Sequence, residues 1–140
     1  MGLCCAFPPG YFDVVFACPP CKQFSRARTT KPRDLASAED VVLRTLKIIK
    51  HLKPPMWFME NPRGGLMKSL PCVAGVPFVD VDYCQFTDWT GPWGYQKPTR
   101  IWGGPHIVAL KNKLCHPPTC PNTLEHNGRW VHREKLGDAT

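Results

Sequence analysis

The chain has 140 residues, 43% of them hydrophobic, which is enough for one hydrophobic core and too few for a large two-domain enzyme. Its formal charge of +7 favours polyanionic partners, so nucleic acid is the first partner to test. No stretch has the apolar length needed to cross a bilayer, and the N-terminus lacks the features of a signal peptide. We therefore expect an intracellular protein that makes no membrane contact. Its eight cysteines are expected to be reduced thiols, catalytic groups or metal ligands, with a disulfide framework as the alternative.

The first part of the chain predicts a strand, a helix and a second strand. Residues 12–17 form a short β-branched apolar run, which is typical of a buried parallel strand. From Leu35 apolar residues recur at steps of three and four, which predicts a helix of about four turns that ends before Pro54. Residues 56–60 predict the second strand. This arrangement is a βαβ unit.

The remaining elements are shorter. Residues 66–70 predict a helical turn, residues 77–84 a third strand, and residues 99–102 with 106–110 a further strand or hairpin. The tail from Lys111 onward shows no convincing periodicity. The predicted fold is α/β with a mostly parallel sheet, whose ligands should lie beyond the carboxyl ends of the strands.

Cys21 lies just past the first predicted strand, and two prolines directly precede it. The prolines stiffen the turn, so the thiol is expected on a rigid loop. Lys22, Arg26 and Arg28 follow closely, and cations near a thiol favour the reactive thiolate. Cys21 is therefore a candidate nucleophile, and a loop cysteine without a role is the alternative.

Glu60 ends the second predicted strand. If the first two strands are parallel, Glu60 occupies the same sheet edge as Cys21, where a thiol and a carboxylate would form a nucleophile and acid pair. A solvated strand end is the alternative.

Three motifs now resemble, in order, those of the cytosine-C5 DNA methyltransferases. Pro-Pro-Cys at 19–21 with the following Phe-Ser resembles their nucleophile loop, and Glu60-Asn61 resembles their Glu-Asn-Val motif. Gln-Lys-Pro-Thr-Arg at 96–100 resembles their Gln-x-Arg-x-Arg strand. The Glu-Asn-Pro and Lys-Pro-Thr-Arg-Ile-Trp runs look closest to versions carried by phages and mobile elements. The resemblance covers roughly residues 11–102.

The resemblance implies a mechanism. The Cys21 thiolate would add to C6 of a flipped-out cytosine while Glu60 holds and protonates N3, so that C5 accepts the methyl group of S-adenosylmethionine. Arg100 would contact the O2 edge of the base. Pro19 and Pro20 would lie beside the cofactor.

DNA is the implied partner. Ser25, Arg26 and Arg28 would grip backbone phosphates, and Gln96 would contact nucleic acid from the arginine strand. A basic loop that is merely solvated is the alternative.

The family's Gly-rich turn, which cradles the methionine part of the cofactor, should precede residue 11 by many residues. The ten residues before it hold no such turn. The expected fold of residues 1–110 is therefore a Rossmann-like methyltransferase sheet that is N-terminally truncated and lacks the first cofactor-binding βα units. We expect this chain alone to bind the cofactor poorly. The sequence leaves open its target, DNA versus RNA, and catalytic turnover.

Residues 111–140 form a tail with a second candidate site. Cys115, Cys120, His126 and His132 have a loose zinc-finger spacing, and scattered loop residues are the alternative. With zinc, the protein could be a non-enzymatic nucleic-acid-binding remnant.

Cys18 and Cys21 also form a Cys-x-x-Cys pair at a strand end. This pair is the second alternative, because thioredoxin-like redox sites begin in the same way.

Overall fold

The computed structural model describes residues 6–25, 32–86 and 94–133. The elements are, in chain order, β1 (Val14–Ala17), α1 (Leu35–Leu52), β2 (Met56–Pro62), β3 (Phe78–Asp82), β4 (Pro98–Gly103), β5 (Thr123–His126) and β6 (Arg129–His132). Short 3₁₀ turns cover Leu66–Ser69, Pro71–Val73, Tyr83–Phe86 and Pro105–Ala109. Within the described residues, no helix has both the length and the apolar character that a transmembrane span requires.

Helix α1 begins and ends where the sequence predicts. The Asp34 side chain accepts a hydrogen bond from the Ser37 backbone N–H at 3.0 Å and caps the start. Lys53 closes the end in the left-handed conformation, with φ of 46°, and donates its N–H to the Ile49 carbonyl. The buried face is formed by Ala38, Val42, Ile49 and Leu52.

The main sheet has four strands in the order β1-β2-β4-β3. β1 is parallel to β2, whereas β4 is antiparallel to both β2 and β3. The α/β class is confirmed, but the expectation of a mostly parallel sheet is not, because two of these three pairings are antiparallel. The reason is that β4 lies between β2 and β3 and runs opposite to both. The periodicity of a strand's own sequence does not determine which strands pair with it or in which direction. The Rossmann-like, truncated character of the sheet stays a prediction.

The core anchors the loop that carries Cys21. Phe24 is 1% exposed and packs in one cluster with Val42 of α1 and with Met59 and Trp102 of the sheet. A smaller cluster on Val79, Val81 and Ile107 forms a second core. The loop after β1 is therefore fixed by a buried aromatic side chain three residues beyond Cys21.

Two expectations for the C-terminal part are corrected. Residues 106–110 were expected in a strand or hairpin, but Pro105–Ala109 is a 3₁₀ turn, because Pro105 stands at its first position and Ile107 is fully buried. The tail without periodicity contains the β5–β6 hairpin. Its turn uses Asn127 and Gly128, both at positive φ (51° and 73°), which is the Asn-Gly signal of a two-residue hairpin.

The tail is also attached to β3. The backbone N–H of Asp82 donates to the Lys113 carbonyl at 2.8 Å, and the Lys113 N–H donates to the Asp80 carbonyl at 3.0 Å. These hydrogen bonds extend the sheet edge by an isolated parallel bridge between Val81 and Lys113.

Candidate active site

The parallel pair β1 and β2 puts the Cys21 loop and Glu60 at one edge of the sheet. The register pairs Ala17 with Met59, so both chains leave the sheet at the same level. Burial, and then the charge of the Glu60 carboxylate, raise the pKa of Cys18, while the Lys97 ammonium lowers it.

The Cys21 loop is held on both sides of the thiol. Asn61 is 1% exposed, and its side-chain Nδ2 donates to the Pro19 carbonyl at 2.9 Å. The Phe24 N–H donates to the Cys21 carbonyl at 2.9 Å, and the Leu66 N–H donates to the Phe24 carbonyl at 2.9 Å. Cys21 itself is exposed. The sheet therefore presents this thiol to solvent from a loop whose backbone is fixed.

A cleft of about 670 Å³ opens beside Cys21. Ser25 and the cations Arg63, Lys68 and Arg100 line it, and no residue in its lining is acidic. Gly65 lets the backbone of the cleft lining approach Pro62 closely, because a Cβ at position 65 would lie 3.2 Å from the Pro62 carbonyl oxygen. The cleft is open, cation-lined and suited to an anionic ligand.

Glu60 is at the predicted edge but is paired with a cation. It is 8% exposed, and the Lys97 Nζ lies 3.2 Å from its Oε1. Burial alone would lower the pKa of Lys97, but Glu60 and Tyr83 outweigh burial and raise it. Glu60 lies outside the lining of the Cys21 cleft, to which the same strand contributes Asn61 and Pro62.

Arg100 lines the cleft on a strand that fixes its guanidinium. Its Nε and Nη2 donate to the two oxygens of the Asp80 carboxylate at 2.7 and 2.8 Å. Its Cζ lies 3.6 Å from the Phe78 ring centroid. Asp80 and Phe78 carried no signal in the sequence, because their role depends on the pairing of β3 with β4.

Five further residues were predicted at this edge. Pro19 is buried and Pro20 exposed, while Gln96 is exposed before β4 and outside the cleft lining. Arg26 and Arg28 lie outside the described residues.

Three of the four predicted metal ligands lie together in the structure, and a different residue takes the place of the fourth. Cys115, Cys120 and His132 come together, and the fourth member is Cys84, with all ligand atoms within 4.8 Å of one another. We call these four residues the Cys3His cluster. His126, expected as a ligand, is instead exposed on the hairpin, with its Nε2 3.3 Å from the Asn127 Nδ2.

The alternation of side chains along a strand explains the exchange. Thr123 is buried and pairs across the hairpin with His132, so these two share the inner face, whereas His126 is three residues along β5 and faces outward. Cys84 had no spacing signal, because it reaches the cluster from the 3₁₀ turn after β3. Burial raises the pKa of Cys84 and Cys115 and lowers the pKa of His132.

Residues 6–69 match the model of the C-5 cytosine-specific DNA methylases. This match confirms the resemblance for the Cys21 loop and for Glu60-Asn61, which both lie inside it, while the Gln-Lys-Pro-Thr-Arg strand lies outside it. Across 140 aligned positions the chain is 36% identical to the "Probable DNA (cytosine-5)-methyltransferase" of Frog virus 3 (isolate Goorha). The alignment covers 89% of this chain and 61% of the relative, so the chain spans about three fifths of that protein's length. The relative is viral, while a phage or mobile-element type stays a prediction. No solved structure matches the chain.

Proposed function

We propose that this chain supplies the base-binding half of a methyl transfer from S-adenosylmethionine to C5 of cytosine in DNA, with Cys21 as the nucleophile. One observation carries the proposal: an exposed thiol stands on a fixed loop at the wall of a cation-lined cleft. That loop lies inside the segment that matches the methylase family.

In the proposed chemistry, the Cys21 thiolate adds to C6 of cytosine. A carbon–sulfur bond forms at C6, the electron pair of the C5–C6 double bond moves between C4 and C5, and the C4–N3 pair moves to N3, which takes a proton from the protonated Glu60; the resulting enamine is nucleophilic at C5. Glu60 is paired with Lys97 and lies outside the cleft lining, so base entry would have to break that ion pair, protonate the carboxylate and turn it toward the base. Arg100, held by Asp80, would donate to O2 of the base.

The cleft supports DNA as the substrate. Arg63 and Lys68 line it beside Cys21 and would face phosphates that flank an extruded base. Ser25 lines the same wall, next to the segment that carries Arg26 and Arg28. Gln96 would contact nucleic acid from the segment before β4.

The lining of the Cys21 cleft does not fit the methyl donor. S-adenosylmethionine carries a sulfonium and an ammonium cation, and this lining offers no acidic side chain to pair with them. Pro19 offers its carbonyl, but Asn61 already donates to it. No step of the proposal therefore runs through the donor, and poor binding of the donor by this chain stays a prediction.

The test measures proton exchange at C5, which needs no donor. Addition of Cys21 to C6 makes C5 nucleophilic, so tritium at C5 of cytosine in duplex DNA should pass into water. We expect Cys21→Ser to reduce this release by on the order of 10³-fold or more. Cys18→Ser is the matched control, since it removes an exposed thiol three residues away and should retain exchange. Equal release by wild type and Cys21→Ser would rule out the proposed role.

A second candidate is a nucleic-acid-binding protein without catalysis, which the cation-lined cleft also favours. This candidate requires DNA binding that weakens as salt rises, together with no C5 exchange. The Cys-x-x-Cys redox alternative is less well supported, because a raised pKa of Cys18 is the opposite of what a redox thiol needs.

A further inference from the structure

No residue of the Cys3His cluster lines the Cys21 cleft, and the cluster takes no part in the proposed methyl transfer. Cys84 comes from the turn after β3, Cys115 and Cys120 from the loop before the hairpin, and His132 from β6. Cys84 and Cys120 are 1% and 4% exposed. Chain segments far apart in the sequence thus bring three thiols and an imidazole together at a point where two of the four residues are buried and two are partly buried.

Two of the six separations between ligand atoms are close to those around one tetrahedral metal, and all six are within 4.8 Å. The His132 Nε2 lies 3.3 Å from the Cys115 Sγ and 3.9 Å from the Cys120 Sγ. A tetrahedral zinc ion with ordinary bond lengths separates sulfur from nitrogen by about 3.6 Å and two sulfurs by about 3.8 Å. The cluster therefore needs adjustments of only a few tenths of an ångström in these two separations.

The surroundings suit thiolate ligands. The Gln85 Nε2 lies 3.7 Å from both the Cys84 and Cys120 sulfurs, so one side-chain amide serves two thiols. The Asn122 Nδ2 donates to the Cys84 carbonyl at 3.0 Å, which joins the hairpin loop to the turn after β3. Donors of this kind orient the ligands of metal sites and stabilise charge on their sulfurs.

Close backbone packing supports the same junction. A Cβ on Gly94 would lie 2.4 Å from the Asn122 Oδ1, so only glycine allows the segment before β4 to approach this loop. The cluster is thus built into the packing and is not a surface coincidence.

We propose that the Cys3His cluster binds one structural zinc ion, which fastens the tail to the end of β3. Three sulfurs and one imidazole nitrogen, from two buried and two partly buried residues, are the kind of ligand set that zinc prefers in structural sites. Without a metal, three thiols and an imidazole pack against one another with little to compensate their burial.

The zinc ion also sets the position of a residue in the Cys21 cleft. The Cys115 N–H donates to Asp82 Oδ2 at 2.8 Å, and the Arg63 Nη2 donates to Asp82 Oδ1 at 3.3 Å. Asp82 is 1% exposed, so it bridges the two groups inside the protein. This link to the cleft rests on the proposed function, whereas zinc binding does not.

The test is elemental analysis of the full chain after expression in zinc-containing medium and gel filtration. We expect about one zinc per chain. Cys115→Ala, Cys120→Ala and His132→Ala should each lose most of it. His126→Ala is the matched control and should retain zinc, since its imidazole faces outward. His132→Cys should also retain zinc, because four thiolates form an equally good site, which separates ligation from simple misfolding.

Several results would overturn the site. They are an absence of metal in the folded chain, iron in place of zinc, a disulfide between two of the three cysteines found by mass spectrometry, or loss of zinc from His126→Ala equal to that from His132→Ala. Cys21→Ser should leave the zinc content unchanged. Failure of C5 exchange with zinc intact would therefore count against the proposed function alone.

Discussion

The Cys21 loop and the Cys3His cluster place the same side chain in opposite surroundings. Cys21 is exposed at a cation-lined cleft, and hydrogen bonds fix its loop but leave its thiol open. Cys84 and Cys120 are buried, and each lies within reach of a second sulfur and an amide donor. A cysteine suits the role of nucleophile when it is exposed to solvent and nearby positive charge favours its thiolate. It suits the role of metal ligand when it is buried and only another thiol or a metal ion is within reach.

Metal removal should produce the largest difference between the two regions. If zinc fastens the tail, a strong chelator lowers the melting temperature of the wild type by about 15 °C or more, because metal-binding free energy is folding free energy. Differential scanning calorimetry measures the shift, and hydrogen exchange should show lost protection in β5 and β6 before the strands beside Cys21. The same Tm with and without chelator in zinc-loaded protein would contradict the account.

Asp82→Ala should break the connection between the regions. It leaves the Arg63 guanidinium and the Cys115 N–H without their buried acceptor, and we expect a loss of about 2–3 kcal/mol in the free energy of unfolding. Denaturant titration measures it. Asp82→Asn is the matched control, since the amide oxygen still accepts from Cys115, and it should cost less. If both variants unfold like wild type, Asp82 does not join the two regions.

Asn61→Ala should affect the Cys21 loop alone. The variant removes the buried hydrogen bond to the Pro19 carbonyl and should cost about 1–3 kcal/mol of stability. Because the loop then loses its fixed backbone, C5 exchange should fall by about 10- to 100-fold while zinc content stays the same. If the variant lost zinc but kept C5 exchange, Asn61 would support the Cys3His cluster and not the Cys21 loop.

The Asp34→Ala variant at the start of helix α1 should have the smallest effect on stability. It serves as a control outside the Cys21 loop and the Cys3His cluster. Hydrogen bonds from Ser37 lower the pKa of Asp34, so the cap stabilises the fold above the ordinary Asp pKa of 3.8 and is lost as pH falls below it. Asp34→Ala should therefore melt earlier than wild type at neutral pH, with the difference fading in acid. Zinc content and exchange should be unchanged. A difference that grows in acid would show that Asp34 acts in another way.

The sequence predicted the first region better than the second, and local signals explain why. The helix stripe from Leu35, the two prolines before Cys21 and Glu60-Asn61 are short-range patterns, and their elements lie where they were expected. The reversed insertion of β4 was not predicted, since strand order depends on pairing between distant segments. Cys84 was missed for the same reason, as its partners begin at Cys115.

The role of Glu60 shows the limit of element-level prediction. Its position at the sheet edge followed from a parallel β1–β2 pair, but its partner Lys97 comes from the segment before β4. Only tertiary structure shows that the carboxylate is paired with this cation and lies outside the cleft lining.

The most direct test of the central claim is to find which cysteine bonds to the base. The chain is incubated with a DNA duplex that carries 2-pyrimidinone in place of cytosine, whose C6 is more electrophilic because the 4-amino donor is missing, and the adduct is mapped by peptide mass spectrometry. We predict one nucleobase adduct per chain, on Cys21, with Cys18 and the three cluster cysteines unmodified. An adduct on Cys18 or on the cluster, or bound DNA with no adduct at all, would contradict the assignment of Cys21 as the nucleophile.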